Sequence, residues 1–136
     1  MAASDSVLAL DVGDKRVGVA VVSLQARLPR PLTTLINCPQ IWDDLAKLVS
    51  DESVGEFVVG LPRGLEGQAT AQTAAAQLFA DELAEKLGLP VHLQDEAVTS
   101  KQAAAELESR GKHYKREDID ALAAVYILQD WLDETR

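Results

Sequence analysis

Residues 7–22 read VLALDVGDKRVGVAVV, and this stretch decides the fold. Two runs rich in β-branched residues flank a short polar turn at 13–16, a pattern typical of two antiparallel strands joined by a tight hairpin. The first run is apolar throughout 7–10, as expected of a central strand that is covered on both faces. Asp11 follows directly. Because an unpaired buried carboxylate is costly, Asp11 is predicted to have a partner, either a metal ion or a backbone N–H of the turn.

Outside this stretch, the hydrophobic pattern predicts alternating strands and helices. Predicted strands cover 32–36, 55–61 and 91–94, and predicted helices cover 39–49, 68–87, 101–110 and 118 to about 133. Three antiparallel strands followed by βα units imply an α/β fold. Its core is a mixed five-stranded sheet, antiparallel over the first three strands and then parallel, with helices on both faces.

Length, charge and cysteine content narrow the possible classes of protein. A chain of 136 residues suits a single domain over 1–136, and the net charge of −9 opposes broad non-specific attraction to nucleic acid or anionic lipid. No apolar run approaches the roughly 18 residues that span a membrane, and no basic segment precedes an N-terminal apolar run, so we expect a soluble, cytoplasmic protein. The single cysteine, Cys38, excludes an internal disulfide and a thiolate metal cluster.

Acidic residues follow two strands that should run parallel. Asp11 ends the first strand and Glu96 ends the fifth, while Asp120 begins the last helix. Sites in open α/β sheets form outside the carboxyl ends of parallel strands, where Asp11 and Glu96 should both lie. Clustered carboxylates with few His or Cys residues suit Mg²⁺ or Mn²⁺. Two such ions about 4 Å apart can activate a water and stabilise the leaving oxygen of a phosphodiester.

Acidic residues at these positions could also have purely structural roles. Asp118 is better interpreted as the N-cap of the last helix than as a ligand. Asp120 could simply favour the helix dipole, and Asp95 could accept a hydrogen bond at the end of its strand. The sequence leaves these alternatives open.

Basic residues near the predicted site are candidates for binding nucleic acid. Arg16 follows the hairpin turn and could reach a phosphate, or equally be solvated or ion-paired. Arg63, beside two glycines before a helix, could help to cradle a phosphate, or those glycines could only turn the chain. In the connector 110–116, four of seven residues are Lys or Arg, including Lys112, Lys115 and Arg116. This connector immediately precedes Asp120, so we predict that it contacts a nucleic-acid backbone.

The sequence resembles the YqgF/RuvX family over essentially its whole length. Residues 11–20, DVGDKRVGVA, are similar to the family's opening motif D-x-G-x-x-R-x-G-x-A. The resemblance continues in VGLP at 59–62 with Gly67, in Asp95-Glu96 with Thr99-Ser100, and in IDALAA at 119–124 with Ile127-Leu128. Each motif alone is weak, but their order and spacing together are specific.

This resemblance implies an RNase H-like nuclease, related to Holliday junction resolvases, that acts on the precursor of 16S ribosomal RNA. It implies that Asp11, Glu96 and Asp120 form the catalytic, metal-binding set, with Mg²⁺ or Mn²⁺ as cofactor. The implied substrate is precursor ribosomal RNA or branched or single-stranded DNA, bound by a monomer or a homodimer. One departure is Ala97, where the family commonly has Arg.

Two other classes compete with this interpretation. A non-catalytic nucleic-acid-binding module in transcription or ribosome assembly would not need three carboxylates. An actin-like or sugar-kinase ATPase shares the Asp-Gly hairpin but needs two such domains around its nucleotide, and 136 residues supply only one.

Overall fold

A computed structural model describes residues 5–64, 66–96, 105, 108–109 and 115–135. Its strands are β1 (Ser6–Val12), β2 (Arg16–Ser23), β3 (Arg30–Ile36), β4 (Val54–Pro62) and β5 (Val91–Glu96). Its long helices are α1 (Ile41–Glu52), α2 (Ala71–Leu87) and α3 (Arg116–Glu134). The predicted helix 101–110 lies largely outside the described residues. Within the described part of the chain, no helix has the length and apolar character needed to cross a membrane.

The five strands form one sheet in the order β3-β2-β1-β4-β5. The pairs β1–β2 and β2–β3 are antiparallel, whereas β1–β4 and β4–β5 are parallel. The predicted mixed α/β sheet is therefore confirmed. Because β1 and β5 both run parallel to β4, their carboxyl ends lie at the same edge of the sheet.

Helices cover both faces of the sheet, as its central strands predict. Alternate residues of β1 point to opposite sides, so Leu8 and Leu10 pack with α1 and α2 while Val7 and Ala9 pack with α3. Trp42 of α1 stacks on Phe79 of α2 at 4.9 Å between ring centroids, which joins the two helices on the first face. Burial on both faces explains why these strands read as continuous apolar runs.

Helix α1 begins at Ile41 rather than at 39, and two other predicted helix starts were also wrong. The last helix begins at Arg116 rather than at 118, and Asp118 is not its N-cap. The Asp118 carboxylate lies one turn inside and accepts a hydrogen bond from the Lys115 backbone N–H at 2.9 Å. Helix α2 begins at Ala71 rather than at 68, after the extended residue Thr70, whose hydroxyl accepts from the backbone N–H of Thr73. In both cases a side-chain oxygen accepts a hydrogen bond from a backbone N–H at the start of the helix. Hydrophobic periodicity does not predict such contacts.

Gly18 allows α3 to approach the sheet closely. A Cβ at this position would lie 1.9 Å from the backbone oxygen of Asp120. We therefore expect Gly18→Ala to lower the free energy of unfolding by about 3 kcal/mol, because helix backbone cannot rotate out of the way. At Gly60 the added Cβ would meet only the side chain of Ile127, so Gly60→Ala should cost about 1 kcal/mol. Urea denaturation of both variants tests this order, and equal losses would contradict it.

Candidate active site

Three carboxylates line one cavity at the carboxyl edge of the parallel strands. The cavity has a volume of about 560 Å³, and its lining includes Asp11 of β1, Glu96 of β5 and Asp120 of α3. The first two lie at the same edge of the sheet, on either side of β4, because β1 and β5 both run parallel to β4. Asp120 reaches the same place because α3 packs on the face of the sheet opposite to α1 and α2, with the backbone of Asp120 against Gly18. The structure thus brings together the three residues that the sequence singled out.

Burial perturbs two of these carboxyl groups. The pKa of Asp11 is raised from 3.8 to about 6, first by burial and second by the nearby negative charge of Asp120. The pKa of Glu96 is raised from 4.5 to about 9, first by burial. A hydrogen bond to the side chain of Asp130 and the charges of Asp130, Glu134 and Asp11 add to the same effect. Glu96 therefore holds a proton at neutral pH.

The donor chemistry of the cavity fits a hard divalent cation. Oε1 of Glu96 is buried and has no hydrogen-bond partner among the described residues, as expected of an oxygen that awaits a ligand. The donors are all carboxylate oxygens, which Mg²⁺ and Mn²⁺ prefer. Among the described residues, however, no three Asp, Glu, His or Cys side chains are close enough to hold one ion. One ion held by three of these carboxylates would require them to lie closer together than they do here.

Arg16 lies in the cavity and pairs with one of the carboxylates. Its Nε donates to Oδ2 of Asp120 at 2.7 Å, and the two side chains are only 28% and 18% exposed. An ion pair this sheltered is held more firmly than a surface pair. Arg16 therefore orients Asp120 and offsets part of its charge, and its Nε is committed to this pair.

Arg63 lies outside the cavity. Its Nη2 and Nε donate to Oδ1 of Asp95 at 3.0 and 3.1 Å. Asp95 and Glu96 point to opposite sides because successive residues of a strand alternate. Asp95 is thus a hydrogen-bond acceptor at the strand end, and its partner is the arginine that the sequence offered as a phosphate contact.

The basic connector is described only at its end. Lys115 is exposed directly before α3. Lys112 lies outside the described residues, and so does the side chain of Arg116. Their contact with nucleic acid stays a prediction.

Several neighbours of the site have no individual signal in the sequence. Asp130 reaches Glu96 because the C-terminal half of α3 passes over β5, where Gln94 also hydrogen-bonds Glu134. Lys15, Asn37 and Gln72 line the cavity as well. Helix docking brings Asp130 and Gln72 to the site, whereas Lys15 lies in the hairpin turn and Asn37 directly follows β3.

Comparison with known proteins places this architecture in a family. The family model described as "RuvX: Holliday junction resolvase" matches residues 5–134. A protein of Chloroflexus aggregans is 43% identical over 135 residues, covering 96% of this chain and 95% of its own length. A protein of Crocosphaera subtropica is 39% identical over 135 residues, covering 96% and 94%. Both carry the name "Putative pre-16S rRNA nuclease".

Solved structures support the same fold. RuvC of T. thermophilus, in complex with Holliday junction substrate, superposes with a TM-score of 0.54 and 19% identity, and the match covers 96% of each chain. At this identity the likeness concerns the fold, which is RNase H-like as the sequence resemblance implied. The match of the family model to residues 5–134 and the identity to curated relatives agree: this chain belongs to the RuvX family.

Proposed function

We propose that this protein is a divalent-metal-dependent nuclease that matures the 5′ end of precursor 16S ribosomal RNA in the cytoplasm. The observation that supports it most is the convergence of Asp11, Glu96 and Asp120 on one cavity where Glu96 keeps a buried, unpartnered oxygen. The substrate class follows the name carried by the curated relatives. Mg²⁺ or Mn²⁺ suits the carboxylate donors.

We assign each acidic residue of the cavity a separate role in hydrolysis. Asp11 and Glu96 would hold the cation, and Asp120, oriented by Arg16, would complete the site. When bound, a divalent ion polarises a phosphoryl oxygen and lowers the pKa of a water molecule. Glu96 must first lose its proton, and Asp130 is placed to influence that proton because it hydrogen-bonds the Glu96 side chain.

Cleavage of a matched substrate panel tests the proposal. The panel contains RNA spanning the 5′ end of 16S ribosomal RNA, unrelated single-stranded RNA and DNA of the same length, and a four-way DNA junction. We expect cleavage of the precursor RNA that requires Mg²⁺ or Mn²⁺ and stops with chelator. The Asp11→Asn variant, purified in parallel, controls for contaminating nuclease.

Two other results would point to a different function. Preferred cleavage of the four-way junction would favour the Holliday junction resolvase activity named in the description of the family. Tight binding without cleavage of any substrate in either metal would favour a non-catalytic nucleic-acid-binding module. Either result would contradict the proposed role in ribosomal RNA maturation.

Metal binding should release a proton. Because the pKa of Glu96 is raised to about 9, this group is protonated at neutral pH in the metal-free protein, and ligation requires the carboxylate. We expect Mn²⁺ affinity to rise about tenfold per pH unit between neutral pH and the pKa of Glu96. Calorimetry in buffers of different ionisation enthalpy measures the proton directly. Glu96→Gln should remove both the proton release and this pH dependence, and their persistence in that variant would contradict the assignment.

A further inference from the structure

Lys15 lines the cavity and has no charged partner among the described residues. Of the two basic residues in the lining, Arg16 is paired with Asp120. Lys15 is exposed, and its ammonium makes no ion pair or hydrogen bond with any residue in the described ranges. As far as the described residues are concerned, this ammonium is therefore available to an incoming group.

The turn that carries Lys15 is fixed on both sides. Within the hairpin, the Gly13 backbone N–H donates to the carbonyl oxygen of Arg16 at 2.9 Å. From the end of β3, the Asn37 backbone N–H donates to the carbonyl oxygen of Lys15 at 2.9 Å, and its Nδ2 donates to that of Gly13 at 2.7 Å. Asn37 thus links the turn to the sheet, so the backbone of Lys15 is held in place before any ligand arrives.

The charge of the cavity explains what this ammonium would attract. The lining contains the acidic residues Asp11, Asp14, Glu96 and Asp120 and the basic residues Lys15 and Arg16. A phosphodiester that approaches the carboxylates meets repulsion, and the whole chain carries a net charge of −9. A fixed cation at the entrance offsets that repulsion for one phosphate and leaves the carboxylates to the metal.

We propose that Lys15 binds a backbone phosphate of the nucleic-acid substrate beside the scissile bond, and that Asn37 is the positioning residue that holds it there. This inference rests on the proposed nuclease function. It assigns to Lys15 the phosphate contact that the sequence suggested for Arg16 and Arg63, both of which are engaged with carboxylates.

Salt titration of RNA binding tests this role. The Asp11→Asn protein serves as a background that does not cut, and labelled single-stranded RNA is titrated at several salt concentrations with Mg²⁺ held constant. Adding Lys15→Ala should weaken binding about tenfold and reduce the salt slope by about 0.7, the value for one phosphate contact on a single strand. Lys15→Arg should restore both quantities, since it keeps the charge.

Two further variants separate a phosphate contact from a structural effect. Lys47→Ala removes the same charge from α1, where Lys47 faces Asp51 at 3.8 Å, and should leave affinity and slope unchanged. Asn37→Ala should weaken binding about threefold through lost preorganisation but keep the slope, because the Lys15 charge remains.

The outcomes distinguish this inference from the function on which it rests. If the wild-type protein cleaves RNA but Lys15→Ala behaves like Lys47→Ala, the Lys15 assignment is wrong and the nuclease proposal stands. If the parent protein neither binds nor cleaves any nucleic acid in the panel, both are wrong.

Discussion

The Asp11→Asn variant is expected to fold normally and to lose metal-dependent cleavage by on the order of a thousandfold. The amide has nearly the same volume as the carboxylate, so the buried end of β1 keeps its packing. It lacks the negative charge that holds a cation beside Glu96 in the cavity. Initial rates of precursor RNA cleavage at saturating Mg²⁺ measure the loss, and circular dichroism confirms the fold.

The same variant should be more stable than the wild-type protein when no metal is bound. The folded-state pKa of Asp11 is raised from 3.8 to about 6, so the folded state binds this proton more tightly than the unfolded state. The resulting stability is fully present below pH 3.8 and is lost as pH rises through about 6. At neutral pH the ionised group therefore opposes folding by up to about 3 kcal/mol, which Asn removes.

Urea denaturation with chelator at acid and neutral pH measures this difference. We expect Asp11→Asn to gain stability at neutral pH and to gain little in acid. Added Mn²⁺ should raise the melting temperature of the wild-type protein more than that of the variant, since only the wild-type site is complete. A variant that cleaves at nearly the wild-type rate, or that responds equally to Mn²⁺, would remove Asp11 from the site.

The second large effect separates two aspartates that lie two residues apart on α3. Asp120→Asn should reduce cleavage by about a hundredfold or more, because the carboxylate lines the cavity and binds Arg16. Asp118→Asn removes the same charge from an exposed side chain that caps the Lys115 N–H. The amide oxygen can still accept that hydrogen bond, so cleavage should change less than about threefold and stability by about 0.5 kcal/mol.

Cleavage rates and urea midpoints of the two variants give the comparison. Because both substitutions change net charge by one and lie two residues apart in α3, a general electrostatic effect would reduce both rates equally. Equal losses would therefore show that the choice of Asp120 was wrong. A loss confined to Asp118→Asn would move the functional carboxylate to the first turn of the helix.

The sequence by itself determined the sheet and the edge where the site lies. The apolar runs around the turn at 13–16 predict the hairpin, and the βα units predict that β1 and β5 run in the same direction. These are local properties, since alternation and helical periodicity are written in neighbouring residues. From parallel strands alone it follows that Asp11 and Glu96 end at the same edge.

Only the tertiary structure decided which groups these side chains meet. The pair Arg16–Asp120 joins residues 104 positions apart, and Asp130 reaches Glu96 across the opposite end of the same helix. Both contacts depend on where α3 packs along the sheet. The close approach of the helix backbone at Gly18 fixes that position. Hydrophobic periodicity indicates which face of a helix is buried, but it does not indicate where along the sheet the helix lies. For this reason the sequence named the carboxylates, whereas the structure showed that Arg16 pairs with Asp120 and that Lys15 has no charged partner among the described residues.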